Sequence, residues 1–384
     1  MSQSLACADV DYACDIAEAG DQQSLHATYF SDMVSSTRKV SIQPSGQQFE
    51  VEEGETVLAA ALRQGLILPY SCQSGACGTC KGKIVSGSVD YGVYQPRVFS
   101  EAEKAQGKAL FCQAKPLSDL VIEARTISVA KGIQIKRLPC RVHKIERPTD
   151  DVAILYLKLP ANERLQFLAG QYIEFLLKDG EKRSFSMANP PHDAELLQLH
   201  VRRVAGGQFT AHVFEKMKER DILRLEGPYG TFFLREESAK PIVFVASGTG
   251  FAPIKAIIEA AFHQGVTRPM VLYWGGRRPK DLYMNALAES WAAAHPLQFK
   301  YVPVVSDGLP EDAWSGRAGF VHRAVMEDFP DLSAHQVYAC GVPIMVDSAR
   351  RDFITLCRLP EDEFYADSFT TQADLAQPPA ASPR

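Results

Sequence analysis

Cys72, Cys77 and Cys80 stand in the stretch YSCQSGACGTCKG, residues 70–82, with Gly75 and Gly78 between them and no formal charge from Cys72 to Cys80. Thiols gathered in this way bridge one another, hold zinc, exchange disulfides or bind an iron cluster. A zinc site pairs two Cys-x2–4-Cys knuckles or adds histidines, and neither a second knuckle nor a nearby His accompanies Cys77 and Cys80. A redox Cys-x-x-Cys opens a helix between strands, whereas this one lies among glycines ahead of the strand-like KGKIVSG. With Cys112 following after 31 intervening residues, the pattern Cys-x4-Cys-x2-Cys…Cys is the spacing of a plant-type [2Fe-2S] cluster. That chemistry needs four thiolates for two irons, and Gly75 and Gly78 allow a tight loop whose N–H groups turn toward sulfur. Cys7, Cys14, Cys140 and Cys357 read as leader or core thiols.

The elements that must position these thiols form a small β-rich unit. RKVSIQP and QQFEVEE alternate as a hairpin, and Thr56 caps a helix whose stripe is Val57, Leu58, Ala61 and Leu62 and which Gly65 ends. KGKIVSG, ALFCQA and DLVIEA read as strands, and Ser100 with Glu103 predicts a capping box on SEAEKAQG. From about residue 137 to 236 the chain reads as short strands (CRVHKIE, VAILYLKL, QYIEFLL, LLQLHVRRV, DILRLEG) with one helical piece, TAHVFEKMK. This pattern predicts an antiparallel β-barrel. From PIVFVAS onward strands alternate with helices, which implies a doubly wound α/β parallel sheet. The predicted organisation is multidomain: a leader over 1–37, domains over 38–128, 137–236 and 237–370, and a loose tail over 371–384. Met33 is a second candidate start.

Composition sets outer bounds. A chain of 384 residues, 46% apolar and 23% charged, with a formal net charge of −5, is that of a globular protein too long for one core. No segment reaches the roughly 18 uninterrupted apolar residues of a membrane span, and no basic start followed by an apolar run marks a secretory signal. The reducing cytoplasm is the expected compartment. The basic run from Lys131 to Arg147 is spread along a strand-like segment, which argues against nucleic acid.

From about residue 38 to 370 the chain resembles the ferredoxin-reductase-like flavoproteins that carry an N-terminal ferredoxin domain. The resemblance rests on the cysteine pattern together with RSFS, LHVRR, GGQFT, GPYG, SGTGFAP, YACGVPIM and EFYADSF. It implies a β-grasp ferredoxin domain, FAD in the barrel and a nicotinamide nucleotide in the α/β domain. In RSFS (Arg183, Ser184, Phe185, Ser186) the resemblance assigns Arg183 to the flavin pyrophosphate and Ser186 to the neighbourhood of the reactive flavin nitrogen. Phe185 replaces the family's tyrosine and loses a hydroxyl partner. His200, Val201 and Arg202 resemble the flavin-lining strand, and Gly207, Gln208 and Thr210 the phosphate turn.

In the third domain Gly248, Thr249, Gly250 and Pro253 follow a strand and open a helix, where a pyrophosphate can approach backbone N–H groups. The resemblance puts Cys340, followed by Gly341, beside the nicotinamide, and Phe369 near the flavin. NADH is the expected donor; Arg277 and Arg278 leave NADPH open. Hydride carries two electrons and an iron cluster accepts one, so a flavin between them makes functional sense. The implied acceptor is a protein: a dehydrase that deoxygenates a nucleotide-linked sugar, or an oxygenase component.

Overall fold

The computed structural model describes residues 37–127, 133–178 and 180–371. The expected leader and tail fall almost wholly outside these residues. The first unit is a five-stranded sheet in the order Gln48–Val51, Arg38–Gln43, Leu120–Glu123, Lys81–Ser86, Lys108–Leu110. Arg38–Gln43 pairs parallel to Leu120–Glu123 and antiparallel to Gln48–Val51, as the predicted hairpin requires. The helix Val57–Arg63 packs on this sheet, and Thr56 Oγ1 accepts from the Ala59 N–H at 3.2 Å. Val40, Ile42, Val51, Val57, Ala61, Phe99 and Phe111 are buried in one core, each large member contributing about 1.5–3 kcal/mol of transfer free energy. The capping box at Ser100 and Glu103 is formed.

One expectation fails here. ALFCQA is not a strand throughout: pairing stops at Leu110, and the N–H groups of Gln113 and Ala114 both bond the Leu110 carbonyl at 2.9 Å, a turn that brings Cys112 beside the cysteine loop.

The second unit is an antiparallel sheet in the order Lys182–Ser186, Tyr172–Leu176, Ile222–Tyr229, Lys136–Thr149, Val152–Lys158, Leu197–Arg202. Its two ends meet through a bridge between Met187 and Leu199, which closes the barrel. Five strands were legible in the sequence; the sixth is RSFS itself. It is mostly polar because all five of its residues line a cavity rather than a core.

The third unit is all parallel, in the order Arg317–Ala318, Phe299–Val305, Met270–Gly276, Ile242–Ser247, Gln336–Gly341, Phe364–Ser368. The order reverses between Ile242–Ser247 and Gln336–Gly341, and the crevice beyond the carboxyl ends of such strands is where open α/β sheets bind ligands. The segment EFYADSF forms the last parallel strand and delivers Asp367, Ser368 and Phe369 to the barrel side. No helix among the described residues is long and apolar enough to cross a membrane.

Candidate functional site

The loop carrying Cys72, Cys77 and Cys80 has no regular structure and depends on left-handed backbone. Gly75 and Gly78 both have φ of 72°, and a Cβ at Gly75 would come within 2.6 Å of the Val93 carbonyl oxygen. Only glycine fits there. The thiols interact in two pairs, Cys72 with Cys77 and Cys80 with Cys112. The Cys77 contact pushes the Cys72 thiol down to about 5, and the Cys80 contact lowers that of Cys112. Cys112 also receives the Gln113 side-chain amide at 3.8 Å. Among the described residues no three His, Cys, Asp or Glu side chains converge as a single ion would require. Two pairs of thiols, each suited to one iron, fit a two-iron group.

From this loop a cavity of about 600 Å³ runs along the barrel to the switch point of the parallel sheet. Ser71, Cys72 and Ser74 form one end, Arg183, Ser184, Phe185, Ser186, His200 and Thr210 the middle, and Ser247, Gly248, Thr249 and Val342 the far end. Two buried polar atoms on its wall, His200 Nε2 and Ser368 Oγ, have no hydrogen-bond partner. Buried polar groups are normally paired, so both suit a polar ligand such as a flavin. His200 Nδ1 meets the Tyr283 hydroxyl at 2.7 Å, and burial pushes the imidazole down to about 3, so it is neutral. Arg183 lines the cavity with its guanidinium on Glu181 at 2.5 Å. Phe185 packs against Phe175 and Phe209, with ring centroids 5.7 and 5.4 Å away. The Thr210 hydroxyl accepts from the Val204 N–H at 3.1 Å and fixes the glycine turn that includes Gly207.

Asp367 joins the ends. Its carboxylate accepts from the Ser71 hydroxyl and, through the other oxygen, from the Ser186 hydroxyl at 3.3 Å. Burial raises this carboxyl to about 6. The Tyr172 hydroxyl donates to the Ser71 carbonyl at 2.8 Å and receives Gln73 Nε2 at 2.9 Å. Ser71 lies in the cysteine stretch and Asp367 in EFYADSF, but neither stands out there, since one serine and one aspartate carry no spacing of their own.

A second cavity of about 510 Å³ shares Arg202, Ser247, Gly248 and Val342 with the first and extends to Arg277, Ser306, Asp307 and Arg351. Arg202 bonds Asp151 and Asp281, at 2.8 and 3.2 Å. The Trp274 indole N–H donates to the Gly248 carbonyl at 3.0 Å, and Ser247 Oγ accepts from the Val342 N–H at 3.1 Å.

Several residues singled out in the sequence lie behind these walls. Val201 and Cys340 are fully buried, Gly250 packs on the Cys340 carbonyl, and Gly341 packs on Ser247. Pro253 is inside its helix and Gln208 is exposed. Arg278 is bound by Asp312 and faces away from the second cavity, whereas Arg277 lines it.

The family descriptions "2Fe-2S iron-sulfur cluster binding domain", "Oxidoreductase FAD-binding domain" and "Oxidoreductase NAD-binding domain" match residues 40–117, 139–234 and 244–351. Over 330 residues the chain is 42% identical to the CDP-6-deoxy-L-threo-D-glycero-4-hexulose-3-dehydrase reductase of Yersinia pseudotuberculosis, covering 86% of this chain and 98% of that one. The chain belongs to the ferredoxin-reductase-like flavoproteins with an N-terminal [2Fe-2S] domain. The same iron–sulfur flavoprotein architecture relates it to reductase component 2 of the terephthalate 1,2-dioxygenase of Comamonas sp., at 36% identity over 87% of this chain and 97% of that one. Among solved structures, the Amycolatopsis cytochrome P450 reductase GcoB superposes with a TM-score of 0.70 at 34% identity, covering 87% of this chain and 99% of that one. This iron–sulfur flavoprotein is an oxidoreductase that moves electrons between NAD(P)H, FAD and a [2Fe-2S] cluster.

Proposed function

We propose that the chain delivers electrons from NADH to a protein acceptor, and that the acceptor is a dehydrase which deoxygenates a CDP-linked 4-keto-6-deoxy sugar at C3. The client reading rests on the 42% identity to the Yersinia reductase across 98% of that protein. The electron path rests on one observation, the continuous cavity that begins at Ser71 and Cys72, passes Ser186 and ends at Ser247 and Val342. When bound, the flavin supplies the conversion of a two-electron hydride into single electrons.

The chain's own residues bind and orient. Cys72, Cys77, Cys80 and Cys112 hold the two irons within the domain spanning 38–128. Arg183, Gly207 and Thr210 bind the FAD phosphates in the barrel of 137–236. His200 offers its unpaired Nε2, and Ser186 holds a hydrogen bond near the reactive ring. Phe369, on the same cavity wall, would lie near that ring. Gly248 and Thr249 would admit the nucleotide pyrophosphate in the domain of 237–370, with Gly250 and Cys340 packed behind that wall. Asp367 fixes the hydroxyls of Ser71 and Ser186 against each other, so the thiol loop and the flavin wall keep one distance. Asp307 on the nucleotide wall supports NADH, because a carboxylate accepts from a ribose hydroxyl and repels a 2′-phosphate. A cytoplasmic location accords with the seven cysteines of the described residues forming no disulfide.

The test mixes the purified reductase, NADH and the CDP-sugar substrate with the dehydrase, and separately the reductase, NADH and an aromatic substrate with an oxygenase. Deoxysugar that disappears with Cys112→Ser supports the reading. Hydroxylated product with no deoxysugar assigns the chain to an oxygenase, the reading that its 36% identity to the Comamonas component favours.

A further inference from the structure

The helix Pro343–Thr355 has two working faces. Ile344, Met345, Ser348 and Arg351 line the nucleotide cavity. Asp347 and Arg350, three residues apart and therefore one above the other, face the cysteine loop. Asp347 Oδ2 receives Arg97 Nη1 at 2.7 Å, while Nη2 of the same arginine donates to the Ala76 carbonyl at 3.2 Å. Ala76 immediately precedes Cys77. One turn along, the Arg350 guanidinium stacks over the Phe364 ring at 4.7 Å and interacts electrostatically with the Cys77 thiol and the Asp347 carboxylate. Two further carboxylates, Glu361 and Glu103, act on it more weakly, and Glu103 is engaged by Lys81 at 2.6 Å. An arginine keeps its proton even where burial opposes it.

We propose that this helix tunes the iron–sulfur site from the nucleotide domain, Arg350 favouring the reduced form through its positive charge beside Cys77 and Asp347 opposing it. The inference rests on the reading of Cys72, Cys77, Cys80 and Cys112 as the cluster ligands. One-electron reduction places one more negative charge at the site with no bond made or broken, so a nearby cation stabilises the reduced form and a nearby carboxylate destabilises it. Asp347 is 29% exposed and Arg350, stacked on Phe364, is half-buried, so solvent screens their Coulomb interactions only in part. Neither residue touches the barrel cavity, which leaves the flavin as an internal control.

The experiment is an anaerobic redox titration of the holoenzyme, followed by the EPR signal of the reduced cluster and by flavin absorbance, with iron and labile sulfide counted for each variant. Arg350→Gln is expected to lower the cluster midpoint by about 59 mV, a tenfold shift in the oxidised-to-reduced ratio for one electron. Asp347→Asn is expected to raise it, and Arg350→Lys to stay near the parent. The flavin midpoint should not move. Opposite shifts are the signature of charge, because a mere loosening of the loop moves both variants the same way. Same-sign shifts, or an unchanged midpoint in Arg350→Gln, overturn the proposal. Should that variant lose iron, Asp347→Asn and Arg350→Lys decide: an unshifted Asp347→Asn overturns it too. A parent protein with no such EPR signal after reconstitution would sink the cluster reading itself, a distinct result.

Discussion

Ser71 and Asp367 lie 296 positions apart in the sequence and share a buried hydrogen bond, serine hydroxyl to carboxylate. Ser71 precedes the first cysteine of the loop, and Asp367 is the penultimate residue of the last parallel strand, Phe364–Ser368. With Ser186 on the other carboxylate oxygen, the cysteine loop and two sheets meet at one side chain. Ser71→Ala leaves that carboxylate one donor short in a buried setting, at a cost of about 1–3 kcal/mol. Urea unfolding of parent and variant should show the loss; equal midpoints would mean the bond contributes nothing net.

Cys112→Ser removes one thiol from the Cys80 pair. Cytochrome c reduction by NADH should fall at least a hundredfold while ferricyanide, which takes electrons at the flavin, is still reduced. Equal loss of both activities would contradict the proposed order of carriers.

Arg183→Ala deletes a cation from the middle of the cavity. A charge-assisted phosphate contact is among the stronger hydrogen bonds, so FAD retention after gel filtration should drop roughly tenfold or more, an order-of-magnitude estimate from a charged hydrogen bond of about 1.5–3 kcal/mol. The visible spectrum of the cluster should persist. Full flavin content would remove Arg183 from the phosphate role.

His200 carries a pH signature. Burial holds its folded pKa at about 3 against an ordinary 6.5, so the unfolded chain binds the proton first. Stability from this group is complete above about pH 6.5 and is lost progressively as the pH falls toward 3. His200→Gln, which cannot titrate, should show a shallower decline of the urea midpoint between pH 6.5 and 4.5. An identical decline in both proteins would assign the acid sensitivity elsewhere.

Asp307 and Arg277 both line the nucleotide cavity. The catalytic efficiency with NADH should exceed that with NADPH, and Asp307→Ala should narrow the ratio by about tenfold, the scale of one charged contact. A parent enzyme that prefers NADPH would give the wall to Arg277.

Much of the site was legible because its chemistry is written in local spacing. Cys72, Cys77 and Cys80 share one loop, Gly75 and Gly78 take the positive φ that this loop demands, and Ser100 and Glu103 close a capping box within four residues. The strand-to-helix turn at Gly248 was legible for the same reason. RSFS escaped as a strand because its cavity-facing side is polar, and periodicity registers only the faces that meet apolar cores.

By itself the sequence determined the three-part architecture, the cysteine spacing and the order of modules, since each depends on residues within a few turns of one another. Only the tertiary structure decided that Ser71 meets Asp367, that Arg97 holds Ala76 and Asp347 together, and that His200 keeps an unpaired nitrogen on the cavity wall. These are contacts between elements far apart in the chain, and single polar residues leave no period or spacing by which to be found. Their partners exist only once the sheets have packed, because burial is what makes an unpaired carboxylate, hydroxyl or guanidinium costly and a paired one worth keeping.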